Sequence, residues 1–490
     1  MKAMKIWIVT TGSSDVQLNK NNKWKDLFRN VRSQVVDRGF APTEGTDQRF
    51  LAPARVMGTV YSQPQAKQYF GDLTFPLLHN FIGKIQNEAI NQIILILTDQ
   101  TAVFSPEEKR SQYSAYWQDT CTLQPILETY LKDKFPQAEL KPLLLKPQLP
   151  TEGLDDWNYV LELVQGEFSK SEFDFPKEST IYVSHQAGTP AISSAVQFSS
   201  LAKFGERVEF LVSSERDSNL TRILDGSIYL RGIRFLEAKA LLDRHDYSRV
   251  KELLASYLTP EIEKLLDAAI EWNFANFEEF IKKLENHPNF AEDVQERQGA
   301  ENWWWTAYES AYLAVVRLKQ GNTVEAMFHS FRAVEGLLRQ WVDKFYSEEI
   351  KQTKHPKWNE NERWNRNLHK YGEDLYLFLS IKKKIDKGRT PDIWIFGNQA
   401  FKKRNDLFHQ LKGLQDKKAV FDSWRSPNEK QWRDDPDNKW KARVLNCLNF
   451  VSDETFEFLD KEDQRGKVAS LMVKVDEKLK HAIAQSEHTP

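Results

Sequence analysis

Arg404 and His409, in "FKKRNDLFHQLKG" (Phe401 to Gly413), are residue types that can cleave a phosphodiester. An imidazole titrates near neutral pH and can take or give a proton. A guanidinium can hold two phosphoryl oxygens at once. Together they meet the minimum need of RNA cleavage without a metal: a 2'-OH attacks the adjacent phosphorus, one group moves protons, and a cation stabilises the phosphoryl charge. Lys402 and Lys403 add positive charge just upstream. The two lie five positions apart, which on a helix places them about 140° apart around the axis. One copy therefore makes a poor site, and two copies facing each other across a two-fold axis make a better one.

An Arg-x4-His spacing arises by chance in about every second chain of this length, so its setting decides its weight. The looser match Arg363 to His369, in "RWNRNLH", lies among Asn, Trp and Lys with no apolar stripe. Arg404 to His409 sits on an amphipathic stretch in which Phe401, Leu407, Phe408 and Leu411 face one side. A long helix precedes it, with Val324, Met327, Phe328, Phe331, Val334, Leu338, Trp341 and Phe345 at three- and four-residue steps. The "KQGN" turn before that helix makes an αα-hairpin.

The first half of the chain alternates strand and helix patterns. Strands are expected at "KIWIVTTG", "QIILILTD", "LKPLLLK", "STIYVSHQ" and "RVEFLVSS", with a late strand pair between Asp225 and Arg234. "ISSAVQFSSLAKFG" has helical spacing and stops at Gly205. This alternation implies an α/β fold with a mostly parallel, Rossmann-like sheet. Loops at the carboxyl ends of such strands form a ligand crevice. Two are rich in small polar residues: Thr10, Thr11, Gly12, Ser13 and Ser14 in "TTGSSD", and Gln186, Gly188 and Thr189 in "SHQAGTP". Gly188 permits close backbone approach, and Thr189 opens a helix whose N-terminus can receive an anion. Asp99 and Gln100 are expected to face the same crevice. Turns need Gly, Ser and Thr in any case, and the absence of G-x-G-x-x-G and Walker patterns argues against an ordinary dinucleotide or ATP site.

From Gly232 onward strand signals nearly vanish. "FLEAKALLDRHDYSRVKELLASYL" reads as a helix hairpin, Ser423 to Lys439 as a loop, Lys441 to Leu459 as a closing helix followed by a charged tail helix. The expected division is residues 1–230, a helical connector at 231–300, and an all-α bundle at 301–490.

With 490 residues, 40% hydrophobic and 28% charged, the chain reads as soluble and multidomain. Two cysteines, Cys121 and Cys447, stand in no metal or redox spacing and fit a reducing cytoplasm. No signal-peptide core or membrane-length apolar run is seen. A net charge of -2 limits any nucleic-acid contact to a local basic patch. No clear helix-turn-helix with a basic recognition helix is present, so stable DNA binding is not expected. No His/Cys/Asp/Glu cluster has convincing metal spacing. His329 reads as a packing or interface residue, Glu335 as a solvated helix charge or, alternatively, an ion-pair partner that orients Arg404, and Trp303 to Trp305 as packing at a domain junction or, alternatively, a surface on which bases stack.

"AMFHSFRAVEGLLRQW" (Ala326 to Trp341) followed by "RNDLFH" resembles the HEPN ribonuclease domain over about Glu301 to Lys461, with Arg404, Asn405 and His409 matching the family motif. The two loops ahead of it look like the CARF domain of type III CRISPR effector ribonucleases over about Met1 to Leu230. The resemblance implies a homodimer with one composite Arg/His site that cuts single-stranded RNA without metal. It implies activation by a cyclic oligoadenylate, tetra- or hexa-adenylate, bound at Thr10 to Ser14, Asp99, Gln100, Gln186, Gly188 and Thr189. It also leaves open whether the first domain degrades its activator. A non-enzymatic nucleotide-sensing dimer is the alternative.

Overall fold

The computed structural model describes residues 3–35, 40–45, 48–148, 152–214, 217–355, 366–401, 403–404, 416–426, 429–430, 432 and 434–487. Asn405, His409, Lys402, Leu407, Phe408, Leu411 and Arg363 lie outside the described residues. The chain divides into two compact units, Met1–Gly232 and Ile233–Pro490.

The first unit is built on a six-stranded sheet. Its strands are β1 (Lys5–Thr10), β2 (Gln92–Thr98), β3 (Glu139–Leu145), β4 (Thr180–Ser184), β5 (Val208–Val212) and β6 (Arg222–Asp225). The order across the sheet is β6-β5-β4-β1-β2-β3. All neighbours are parallel except β6, which runs antiparallel to β5. Successive side chains of a strand point to opposite faces. In β2, Ile93, Leu95 and Leu97 therefore enter one core and Ile94 and Ile96 the other. This is why "QIILILT" is a continuous apolar run, with every residue buried. Trp7 of β1 lies wholly inside, its indole N–H donating 2.9 Å to Ser184 Oγ of β4.

Two features depart from the sequence reading. Asp225 to Arg234 does not form a strand pair: β6 ends at Asp225 and a helix runs Gly226–Asp243. The alternation in "GSIYLRGIR" is too short to separate period 2 from period 3.6. Gly226 is needed at the switch, since a Cβ there would stand 2.6 Å from Val208 O. A second, four-stranded sheet, from Thr43–Glu44, Phe50–Leu51, Gln17–Leu18 and Leu73–Thr74, has no sequence signal because each strand is two residues long.

The second unit is helical. Tyr247–Leu253, Pro260–Asn273, Phe277–Leu284 and Ala291–Gln298 lead into α1 (Trp305–Lys319) and α2 (Thr323–Phe345), then α3 (Glu373–Lys383), α4 (Pro436–Ser452) and α5 (Leu471–Ser486). The turn between α1 and α2 uses Gly321 at φ +82°, and Asn322 caps α2 by accepting from Glu325 N. Within the expected stripe of α2, Met327, Phe331, Val334, Leu338 and Trp341 are buried, while Val324, Phe328 and Phe345 are exposed. Ala326, Ser330, Ala333 and Leu337 complete the buried face. One continuous apolar core runs from Phe235 to Ile483, joining residues 233–300 to the bundle. The tail helix is part of that core rather than a charged appendage: Leu471, Met472, Val475, Leu479 and Ile483 are buried.

A buried carboxyl fastens this unit. Glu309 of α1 accepts from Trp272 Nε1 (2.8 Å), from Leu471 N (2.7 Å) and from Ser470 Oγ, so it ties three segments distant in sequence. Burial pushes its carboxyl above the usual range. Glu309→Ala leaves these donors unpartnered in the core. The expected cost is on the order of 3 kcal/mol, read as a lower denaturant midpoint; an unchanged midpoint would show the knot to be dispensable.

Candidate functional site

Strand order places the crevice. Numbered along the chain, the parallel strands run 5-4-1-2-3, so the direction of winding reverses between β1 and β4. At such a reversal the loops leaving the two strands separate and open a crevice at their carboxyl ends. The loop after β1 carries Thr10 to Asp15, and the loop after β4 carries His185 to Thr189.

The two loops touch. A Cβ on Gly12 would stand 3.0 Å from Gly188 N. Gly188 has φ +91°, which favours glycine strongly. Thr189 caps the helix Pro190–Phe204, its Oγ1 accepting from Ile192 N at 3.2 Å and donating to Leu154 O at 2.6 Å. The other residues divide by depth. Thr10 and Thr11 are buried, with hydroxyls donating to Ser184 O (3.2 Å) and Ile96 O (2.7 Å). Ser13 is half-buried and Ser14 exposed. A cavity of ≈ 500 Å³ opens beside these serines, walled by Phe40, Leu51 and Pro53 and edged by Gln112, Tyr113 and Gln118.

Asp99, Gln100 and Gln186 use their polar atoms within the protein. Asp99 pairs with Arg55 (2.9 Å) and accepts from Thr101, and these hydrogen bonds together with the Arg55 charge outweigh burial to hold its carboxyl below the usual range. Gln100 hydrogen-bonds Asp119 and accepts from Leu154 N (2.8 Å). Gln186 binds the backbone of Ser213 through both ends of its amide. Arg55, Asp119 and Thr120 were not singled out from the sequence; each is buried and none falls in a motif.

Asp15 also went unremarked, although it closes "TTGSSD". It is 3% exposed and its Oδ2 accepts from Gly12 N at 2.8 Å. Burial pushes its carboxyl up to about 7, against a smaller lowering by the Gly12 amide.

In the second unit, Phe401, Lys403 and Arg404 are helical. Arg404 Nη2 donates to Glu335 Oε2 of α2 at 2.9 Å, and the guanidinium lies 4.7 Å from the centroid of the Phe331 ring. Glu335 is therefore a partner of Arg404 rather than a solvated charge. Phe401 is buried against Phe331 and Phe396. A π-turn at Phe396–Ala400 comes just before. It needs Gly397, where a Cβ would stand 2.0 Å from the Tyr376 ring. His329 is buried and its imidazole is pushed down to about 4 by burial and by Arg332 and Arg317. Trp304 is buried between Tyr308 and Phe456, while Trp303 and Trp305 are half-buried.

No protein-family model matches the chain, and no curated protein does. A solved structure does: Enterococcus italicus Csm6 bound to cyclic hexa-2'-fluoro-hexa-dAMP, at 13% identity, TM-score 0.56, covering 99% of this chain and 100% of that one. The two chains share a fold. The expected architecture, a mostly parallel α/β sheet followed by an all-helical half, agrees with that likeness. Among the described residues no helix is long and apolar enough to cross a membrane.

Asp15 yields a pH test. Its folded carboxyl titrates near 7 and its unfolded one near 3.8. The stability tied to its protonated form is complete below pH 3.8 and is lost as pH rises to about 7. Asp15→Asn lacks this titration. Its stability relative to wild type is expected to rise between pH 4 and 7, by up to about 4 kcal/mol, and then level off. A difference that stays flat with pH would contradict an Asp15 buried with no counter-charge among the described residues.

Proposed function

We propose that the chain is an endoribonuclease of a type III CRISPR defence system, working in the cytoplasm as a homodimer and switched on by a cyclic oligoadenylate. The observation that carries this reading is a fold shared over nearly the whole chain with a Csm6 that holds a cyclic hexanucleotide. The switch-point crevice in the first unit and the anchored Arg404 in the second support it.

On this reading residues 1–230 are a CARF-like sensor, 231–300 a connector and 301–490 a HEPN-like nuclease domain. A ring of tetra- or hexa-adenylate lies on the dimer axis, against Gly12 to Ser14 and Gly188 to Thr189 of both chains. Thr10, Thr11, Asp99, Gln100 and Gln186 shape that surface through the hydrogen bonds described. The ring activates by binding the cleaving arrangement more tightly than the resting one.

Cleavage follows from the residue types. A ribose 2'-OH loses its proton to a base and attacks the adjacent phosphorus, and the 5'-oxygen leaves with a proton. His409 serves as base or acid. Arg404 stabilises the phosphoryl charge, and Asn405 orients the phosphate or His409. Glu335 and Phe331 set where Arg404 points. The products are a 2',3'-cyclic phosphate and a 5'-OH, formed without a metal. Nothing in the sequence resembles a base-reading module, which supports low selectivity among single-stranded RNAs.

The test is cleavage of single-stranded RNA in EDTA with and without cyclic tetra- or hexa-adenylate. Cleavage is expected only with a ring. His409→Ala is expected to lower the rate at least about 100-fold while ring affinity is kept. An absolute need for divalent metal, or an undiminished His409→Ala rate, would overturn the mechanism. Tight ring binding with no cleavage of any RNA would favour a non-enzymatic sensor.

A further inference from the structure

Both loops of the crevice hang from one pair of adjacent residues that never reaches it. Asp119 and Thr120 are each 1% exposed. Thr120 Oγ1 lies 3.0 Å from Thr11 Oγ1 and accepts from Thr98 N at 3.0 Å, while Thr120 N donates to Thr98 Oγ1 at 3.0 Å. Thr120 thus holds the base of the first loop against the end of β2, one residue before Gly12.

Asp119 reaches the second loop. Its Oδ2 accepts from Gln100 N at 2.8 Å and its Oδ1 from Gln100 Nε2 at 3.1 Å. That fixes the amide rotamer, so Gln100 Oε1 faces Leu154 N at 2.8 Å. Leu154 O then receives the hydroxyl of Thr189, the cap of the helix behind Gly188. Arg55 donates to both Asp119 Oδ2 (2.7 Å) and Asp99 Oδ1 (2.9 Å), with its guanidinium 4.0 Å from the Tyr116 ring centroid. One buried cation thereby holds two carboxylates. The path runs Thr11–Thr120–Asp119–Gln100–Leu154–Thr189, its links hydrogen bonds of ordinary length except for the peptide bond that joins Asp119 to Thr120.

We infer that Asp119 and Thr120 are positioning residues that set both crevice loops for the cyclic nucleotide without touching it. The inference rests on the proposed function and deepens it. A ligand that must meet two loops at once binds more tightly when their spacing is fixed beforehand, since ordering them on binding costs affinity. Asp119 is suited to this because an ionised carboxylate only accepts. An asparagine would turn a donor toward Gln100 or Arg55 and release the amide that holds Leu154.

The test uses the full chain with cyclic tetra- and hexa-adenylate, reading ring affinity, the ring concentration for half-maximal RNA cleavage, and the maximal rate. Asp119→Asn is expected to weaken affinity and raise the half-maximal concentration by about 10- to 100-fold, with the maximal rate at saturating ring kept. Thr120→Val is expected to move the same two quantities and Thr120→Ser to restore them, which keeps the inference testable if Asp119→Asn does not fold. Unchanged affinity in both Asp119→Asn and Thr120→Val would overturn it. So would a fall in maximal rate with no shift in half-maximal concentration, which marks general damage. A wild-type chain that binds neither ring overturns the proposed function, and this inference with it.

Discussion

The reversal of winding between β1 and β4 is the constraint on which the crevice of the first unit depends. Parallel strands order their loops at one edge, and only at the reversal do two loops part instead of crossing. Here that point brings "TTGSSD" and "SHQAGTP" so close that Gly12 has almost no room for a side chain beside Gly188. Small residues there answer a packing demand first. The same economy explains why threonines line the strand ends: their hydroxyls join the loops to the sheet from beneath.

In the helical half the controlling fact is the anchorage of Arg404. A long cationic side chain alone is a poor electrostatic catalyst, because reorienting it costs entropy when charge develops. Glu335 and the Phe331 ring restrict the guanidinium, which on the proposed reading holds it in place before RNA arrives. The π-turn at Phe396–Ala400 contributes as well. A π-turn carries one more residue than the α-helix it interrupts, so all that follows is rotated by about 100°. Gly397 against Tyr376 is what permits it. On the proposed reading, the five-residue spacing of Arg404 and His409 along the sequence makes a second copy necessary.

What the sequence conveyed follows from which signals are local. Strands buried on both faces announce themselves, as "QIILILT" does, and so do the αα-hairpin and the two glycine-bearing loops. Two-residue strands such as Gln17–Leu18 cannot, having no period to read. The tail helix was misjudged because its lysines and glutamates hide the spacing of Leu471, Val475, Leu479 and Ile483. The Arg404–Glu335 pair joins residues 69 apart and is one of two options the sequence offers for Glu335; the Asp119–Arg55 pair joins residues 64 apart, and spacing along the chain carries no trace of it. The candidate loops were legible, but the roles within them were not: Thr10 and Thr11 turn inward, and Asp99 and Gln100 are committed to Arg55, Asp119 and Leu154. Asn405 and His409 lie outside the described residues.

The central claim is that one cyclic nucleotide is held by two copies of the switch-point crevice. The stoichiometry of binding tests it most directly, by native mass spectrometry of the full chain titrated with cyclic tetra- and hexa-adenylate. The account predicts a complex of two chains and one ring, with linear oligoadenylates of the same length failing to form it. One ring per single chain, or a dimer that takes up no ring, would contradict it.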